Sequence, residues 1–410
     1  MELAPDAAVD THWVQREWPR GRLAAFRSVV GALLSFHFLK LAIDAPPLLS
    51  ASGLYDLATA WPYPSAVARW LDSDLSVQTV QAVYCGAAVL AGLIALGLAQ
   101  RAFAFVLFVL AAGTHQALLP VSYIDDACAS WALFWLMALP RTSGKARAAV
   151  VPGLAVDLLL INTLIIYVSV TAWRSLHPTW PREPLVTLAC FAVPALLISP
   201  GTWSRRVGVI GQLALHAYLL ATTRVWFCHG VLLATGVLFW GHRSVSDAVP
   251  SVRWNVTTGA AAGAVYVALT AALLIEGAAS SDGEASRVGR LLMALGLDPT
   301  SPGMPAASDT SLAAVRPGDE KRVVLLEAGA QPSREGMLLA YFLNPRSVPP
   351  GMAADMLERV AQRYCEAHAG VGAAASLYLR DNIEPAGALE CDLPGRRPLV
   401  RWPGIDGVAE

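Results

Sequence analysis

Ionisable side chains lie within long apolar segments of this sequence, where a charge is costly unless it is paired or solvated. Such groups are candidates for acid–base chemistry, and guanidinium groups are candidates for binding an anion. In chain order, the predicted site residues are His37, Lys40, His115, Asp125, Asp126, Arg174, His216 and Arg224. His216 lies near the middle of its segment and is the predicted acid, base or hydrogen-bond donor. Arg174 and Arg224 would clamp an anion. Asp125 and Asp126 would orient those two side chains.

Each of these residues also has a structural interpretation, which the sequence leaves open. Lys40 and Arg224 can extend their charged ends to lipid headgroups. Asp125 and Asp126 begin an apolar segment, where carboxylates are stabilised by the positive end of a helix dipole. The histidines can be satisfied by hydrogen bonds between helices. No HxxxH or HExxH pair occurs, so the sequence predicts no metal site, and it does not identify a cofactor.

The composition indicates which elements must position these residues. Hydrophobic residues make up 55% of the 410 residues and charged residues only 15%. Soluble domains carry about 25% charged residues, so an ordinary soluble enzyme and a disordered chain are both excluded. The net charge of −1 argues against a nucleic-acid partner. Membrane-spanning helices need roughly 20 mostly apolar residues. The predicted spans are 23–44, 79–99, 102–121, 127–140, 153–173, 185–200, 207–223, 225–241 and 257–277.

The sequence therefore predicts an all-α polytopic membrane helical bundle over residues 23–278, with about eight or nine transmembrane helices in the lipid bilayer. The number depends on residues 222–224, which alone separate the seventh and eighth spans. A continuous helix there would be about 50 Å long, too long for a single crossing, so we predict a break.

The C-terminal part has a different composition. Residues 279–410 contain 13 Lys or Arg and 17 Asp or Glu, the charge density of a water-soluble domain. Residues 279–318, rich in Ser, Gly, Pro and Ala, are predicted to form a linker with a short helix at 287–297. Residues 319–410 are predicted to form a small α+β extramembrane domain. Its predicted elements are strands 322–327, 337–343 and 375–380 and a helix over 352–369. Cys365 and Cys391 would pair if this domain faces an oxidising compartment.

Basic residues are distributed unevenly between alternate loops. They number 11 in the loops on the side of the N-terminus and 4 in the other loops. By the positive-inside rule, residues 1–22 form a cytoplasmic N-terminal segment. An odd number of spans then places the C-terminal domain on the extracytoplasmic side of the cell membrane. Most predicted site residues fall toward this outer side, so we expect a polar cavity that opens there.

Several stretches, in this order along the chain, resemble the horizontally transferred transmembrane (HTTM) domain. This superfamily includes the vitamin K-dependent γ-glutamyl carboxylase and bacterial relatives of the sporulation-delaying-protein B type. The resemblance covers roughly residues 15–245. The stretches that carry it are Leu23–Leu49, Gly53–Asp56, Ala95–Arg101, Ser122–Asp126 leading to Trp135–Pro140, and His216–Phe239.

The sequence departs from the carboxylase members at the base. The resemblance implies a catalytic Lys near the outer end of a helix, and the corresponding stretch here, Ile166–Arg174, ends in Arg174. A guanidinium stays protonated and cannot serve as a base. Where the family has an Asn-His pair, this chain has Leu119-Pro120-Val121. The sequence therefore does not support vitamin K-dependent carboxylation. Lys40 with His37 is a speculative substitute base.

Two functions follow as predictions. The first is a membrane-embedded enzyme that modifies an exported peptide or a lipid-like substrate, with a lipid- or quinone-like ligand or an exported peptide as its partner. The alternative is a non-catalytic maturation, export or immunity factor for a secreted peptide, recognised by the C-terminal domain. A transporter ranks below both, because neither an inverted repeat nor paired broken helices are evident.

Overall fold

A computed structural model describes residues 17–49, 65–71, 73, 75–118, 124–141, 150–176, 184–199, 202–223, 226–240, 258–279, 310–315, 323–328, 365, 373–379, 387–391 and 399–401. The helices are α1 (Arg20–Asp44), α2 (Pro46–Leu49), α3 (Ala66–Leu71), α4 (Val77–Ala95), α5 (Gln100–Ala117), α6 (Ile124–Ala138), α7 (Leu154–Leu176), α8 (Pro184–Ile198), α9 (Thr202–Thr223), α10 (Trp226–Phe239) and α11 (Thr258–Ala279). The strands are β1 (Glu17–Pro19), β2 (Val150–Pro152), β3 (Thr310–Val315), β4 (Val323–Ala328), β5 (Ala373–Leu379), β6 (Gly387–Cys391) and β7 (Leu399–Arg401).

Residues 17–279 are predominantly helical where they are described, as the sequence predicts, and each predicted span coincides with a helix. Helix α9 ends at Thr223 and α10 begins at Trp226, on either side of the predicted break. Among the described residues, α1 and α4 are long and apolar enough to cross a membrane. The described apolar parts of α7, α8, α10 and α11 are shorter.

The chain divides into two compact units. Unit 1 comprises Met1–Ser35, Leu90–Phe108 and Trp131–Leu292, and unit 2 comprises Phe36–Val89, Val109–Ser130 and Met293–Glu410. Several helices contribute residues to both units, because the division passes through α1, α4, α5 and α6.

Unit 1 contains α7 to α11; α7 to α10 pack as neighbours in chain order, whereas α11 packs against α7. Helix α9 contacts α8 and α10, and α7 contacts α8, α10 and α11. Strands β1 and β2 pair antiparallel, with Trp18 opposite Val151, and the Trp18 indole donates to Asp157 Oδ1 at 3.2 Å. These contacts join the segment before α1 to the beginning of α7.

The turn between α4 and α5, also in unit 1, depends on a glycine. Gly97 has a positive φ of 87°, which glycine adopts without a steric penalty. A Cβ at Gly97 would lie 2.8 Å from the flexible end of the Arg27 side chain, so the positive φ is the stronger reason for glycine here. The neighbouring Ser28 hydroxyl donates to the Ala95 carbonyl at 2.8 Å. Helix α1 is thereby held against the end of α4.

Unit 2 includes a five-stranded antiparallel sheet with strand order β4-β3-β5-β6-β7. Strand β3 lies between β4 and β5, with Leu312 opposite both Leu326 and Leu379 and an irregularity after Leu312. Two predicted strands are therefore present, near 323–328 and 373–379. Strand β3 lies inside the segment predicted as linker, so the sheet begins before residue 319. The predicted helices 287–297 and 352–369 and strand 337–343 lie outside the described residues, apart from Cys365.

Candidate functional site

Three aromatic side chains from three helices of unit 1 form a hydrogen-bonded chain. They are Tyr167 on α7, His216 on α9 and His229 on α10, and all are buried, His216 with only 2% of its surface exposed. The Tyr167 hydroxyl bonds His216 Nε2, and His216 Nδ1 lies 3.1 Å from His229 Nδ1. Both nitrogens of the His216 ring are therefore engaged, one on each side. We refer to these three residues as the Tyr–His–His chain.

The Tyr–His–His chain fixes how protons are shared within it. Two imidazole nitrogens that face each other form a hydrogen bond only when one carries the proton and the other accepts it. If His229 donates, His216 is protonated on Nε2 and donates to the Tyr167 oxygen. If His216 donates from Nδ1, its Nε2 accepts from the Tyr167 hydroxyl. Neutral histidines in the chain thus carry their protons on opposite ring nitrogens in either arrangement.

Gln212 supports His216 from one helical turn earlier on α9. Residues four apart share a helix face, so Gln212 and His216 point toward the same neighbours. Gln212 Nε2 donates to the Leu232 carbonyl at 2.7 Å and to Thr235 Oγ1 at 3.2 Å, both on α10. Gly236 permits this approach, since a Cβ there would lie 3.1 Å from Gln212 Oε1. These bonds fix α9 against α10 beside His216.

Two cysteines that form no disulfide lie near the tyrosine end of the chain. Cys190 on α8 and Cys228 on α10 are buried and within electrostatic range of Tyr167. Within the described ranges, no group of three or more His, Cys, Asp or Glu side chains is placed to hold a metal ion. The imidazole and phenol groups of the Tyr–His–His chain can transfer protons and form hydrogen bonds.

A second polar group of unit 1 is centred on Asn162, one turn and a half before Tyr167 on α7. Asn162 Oδ1 accepts from the indoles of Trp131 and Trp135 on α6, at 2.5 and 3.2 Å. Its amide donates to Thr270 Oγ1 on α11 at 3.1 Å. Asn162 is fully buried and joins three helices, a structural role that needs no ligand.

Unit 2 holds most of the other predicted site residues, and the structure brings two of them together. His37 Nε2 on α1 lies 3.5 Å from Asp126 Oδ1 on α6, with side chains only 4% and 3% exposed. Asp125 and Asp126 both lie in the first turn of α6, as expected for carboxylates at a helix N-terminus. His115 lies in the last turn of α5 and is buried.

Lys40 differs from these buried residues. Its ammonium lies 3.9 Å from Asp44 Oδ2, four residues along α1, and both side chains are substantially exposed. This position fits the interpretation of Lys40 as a surface residue. Arg174 lies in α7, but its side chain is outside the described residues, as is the whole of Arg224. The predicted anion clamp with His216 therefore stays a prediction.

The predicted site residues include His216 but neither Tyr167 nor His229, the other two members of the Tyr–His–His chain. The signal that could have found them is a second histidine just after the helix break, 13 residues from His216, together with a hydroxyl in a neighbouring apolar helix.

Comparison with models of protein families, with curated proteins and with solved structures gave no match to this chain.

Proposed function

We propose that this chain is an HTTM-type integral membrane protein, with a cytoplasmic N-terminus and an extracytoplasmic C-terminal α+β domain. Helices α1 and α4 have the length and hydropathy for crossing a bilayer. The excess of basic residues on alternate loops supports the orientation. Cys365 is disulfide-bonded, which supports an oxidising compartment for the C-terminal domain. Cys391 is the partner that we propose for it.

Within this membrane protein, the proposed activity is acid–base chemistry on an exported peptide or a lipid-like substrate, in a polar cavity open to the extracytoplasmic side. The observation that carries the proposal is the buried Tyr–His–His chain. Buried ionisable groups in membrane helices are expensive and are functional candidates for that reason. His216 is the proposed acid or base, since one ring nitrogen of a neutral imidazole donates a proton and the other accepts one. Arg174 in place of the carboxylase lysine excludes that residue as a base.

The experiment compares the exported peptides and membrane lipids of cells that express wild-type protein, His216→Gln or Tyr218→Phe. Tyr218 lies two residues along the same helix and is exposed, so its variant is the matched control. An enzyme predicts a mass-shifted product that is present with the wild type and the control and absent with His216→Gln. Loss of a positioned acid or base lowers the rate by about 10²–10⁴-fold. An unchanged product with folded His216→Gln protein would refute the proposal.

A specific observation favours the alternative of a maturation, export or immunity factor for a secreted peptide. The C-terminal region has its own antiparallel sheet and a disulfide at Cys365, features of small extracellular binding domains. In that case Cys365→Ser should abolish peptide handling, because removing a disulfide from a small domain costs about 2–5 kcal/mol. His216→Gln should then leave peptide handling intact. The opposite pattern favours the enzyme.

A further inference from the structure

We infer that the Tyr–His–His chain is a proton relay, in which His229 exchanges protons with the aqueous side and Tyr167 exchanges them with the substrate. This inference rests on the proposed function, which places the aqueous side of the relay outside the cell membrane. The geometry supplies two facts. The three residues form an unbroken series of hydrogen bonds, and each lies within nine residues of one end of its own helix.

The depths follow from positions along the helices. His229 is the fourth residue of α10, His216 lies seven residues before the end of α9, and Tyr167 lies nine residues before the end of α7. At 1.5 Å per residue, these positions are about 5, 10 and 14 Å from the helix ends. Short connections make neighbouring helices antiparallel, so α7 and α9 end, and α10 begins, on the same side. The chain therefore runs inward from that side.

Proton transfer along the Tyr–His–His chain conserves the number of protons and needs only water and the substrate. A proton from water binds His229 Nε2, and the proton on His229 Nδ1 passes to His216 Nδ1. The proton on His216 Nε2 passes to the Tyr167 oxygen, and the original hydroxyl proton of Tyr167 leaves to the substrate. One proton enters and one leaves, and each ring ends protonated on its other nitrogen. The reverse sequence removes a proton from a weakly acidic group of the substrate.

Neutral partners suit this role. A buried carboxylate would hold a proton-bearing imidazole as an ion pair and resist its change of state. A hydroxyl and an imidazole can each accept one proton and release another, so no charge remains in the apolar bundle after the transfer. Gln212 holds α9 on α10 through Leu232 and Thr235, which keeps the two histidine rings in register. It acts as a positioning residue.

The test measures solvent exchange at the His216 ring by nitrogen-15 magnetic resonance, with histidine-labelled full-length protein in lipid bilayers. The variants are His229→Gln, which can still hydrogen-bond His216 but cannot carry a proton between two ring nitrogens, and Tyr218→Phe as control. A relay predicts opposite protonation sites on the two wild-type histidines. It also predicts about tenfold or more slower exchange at His216 in His229→Gln, because the ring then exchanges only when the helices open locally, and wild-type exchange in the control.

Wild-type exchange in folded His229→Gln protein would overturn the relay and leave His229 a structural residue. So would the same protonation site on both rings in the wild-type protein. Exchange is measured without substrate, so the outcome is separate from the product assay. Slowed exchange without any His216-dependent product would keep the relay and refute the enzyme. A His216-dependent product with unchanged exchange would keep the enzyme and refute the relay. If His229→Gln fails to fold, His229→Asn provides the same measurement.

Discussion

Two buried imidazoles, one in each unit, are held by partners of different kinds. In unit 1, His216 is flanked by a hydroxyl and a second imidazole. In unit 2, His37 faces the carboxylate of Asp126. A carboxylate stabilises a protonated imidazole and ties α1 to α6 at that point, whereas the neutral partners of His216 favour neither ring nitrogen. Equal burial of two imidazoles therefore does not imply equal function, because the hydrogen-bond partner of each ring decides whether its proton is held or can move.

The largest effect is expected for Asp126→Leu. It removes the carboxylate that faces the buried His37 imidazole, and losing a hydrogen bond to a charged group destabilises by about 1.5–3 kcal/mol. The measurement is thermal unfolding of detergent-solubilised protein. The control is the double variant His37→Phe with Asp126→Leu, which should recover most of the loss because an apolar pair replaces a polar one. Equal stability of the single and double variants would contradict a stabilising contact between His37 and Asp126.

A smaller loss is expected for His229→Phe. The substitution removes a neutral partner from the His216 ring, and an unsatisfied neutral group costs about 1–3 kcal/mol when buried. The same unfolding measurement should rank this variant above Asp126→Leu in stability. A loss as large as that of Asp126→Leu would show that His229 carries a charge, and the contrast between the two units would disappear.

Thr235→Val tests how firmly the chain in unit 1 is held. Valine has nearly the same shape, so the change removes the hydroxyl that receives a hydrogen bond from Gln212 at 3.2 Å. The bond from Gln212 to the Leu232 carbonyl remains, and we expect a loss of about 1 kcal/mol. Unfolding of Gln212→Leu provides the comparison, since that variant should lose more. Equal losses of stability in the two variants would mean that the bond to the Thr235 hydroxyl accounts for the whole contribution of Gln212, and the bond to the Leu232 carbonyl for none.

The smallest effect is expected for Lys40→Met. The pair of Lys40 and Asp44 is 3.9 Å apart, with the two side chains 41% and 31% exposed. Such pairs contribute little, so stability should change by no more than about 0.5 kcal/mol. Product formation should also be unchanged if Lys40 is a surface residue. A large loss of product from a stable variant would instead identify Lys40 as the substitute base that the sequence leaves open.

The helices could be predicted from the sequence because long apolar runs are strong signals and because their ends are marked. Pro46 follows α1 and Pro140 follows α6, and a proline limits the extension of a helix. The three-residue strands β1 and β2 escaped prediction, since they contain proline and are too short to show an alternating pattern. Strand β3, with the sequence TSLAAV, carries few residues that favour strands and is defined by its neighbours.

The candidate site was only partly predictable for a related reason. His216 could be chosen from its position inside an apolar segment, which depends on local sequence alone. Its pairing with Tyr167 depends on how α7 packs against α9, and no local pattern encodes that packing. The hydroxyl of a tyrosine in an apolar helix is equally compatible with a bond to a neighbouring backbone or side chain. Only the three-dimensional arrangement shows that it meets His216.

The pairing of β1 with β2 has a consequence for biogenesis. Glu17 lies opposite Pro152, so the first strand has no partner until the ribosome has synthesised the chain past that residue. At cellular rates of translation, this delay is on the order of ten seconds. During that interval Trp18 lacks its acceptor Asp157, which is synthesised 139 residues later. The pairing of β1 with β2 therefore forms late in synthesis. Truncation before residue 150 removes β2, so we expect β1 in the truncated chain to be more sensitive to proteolysis.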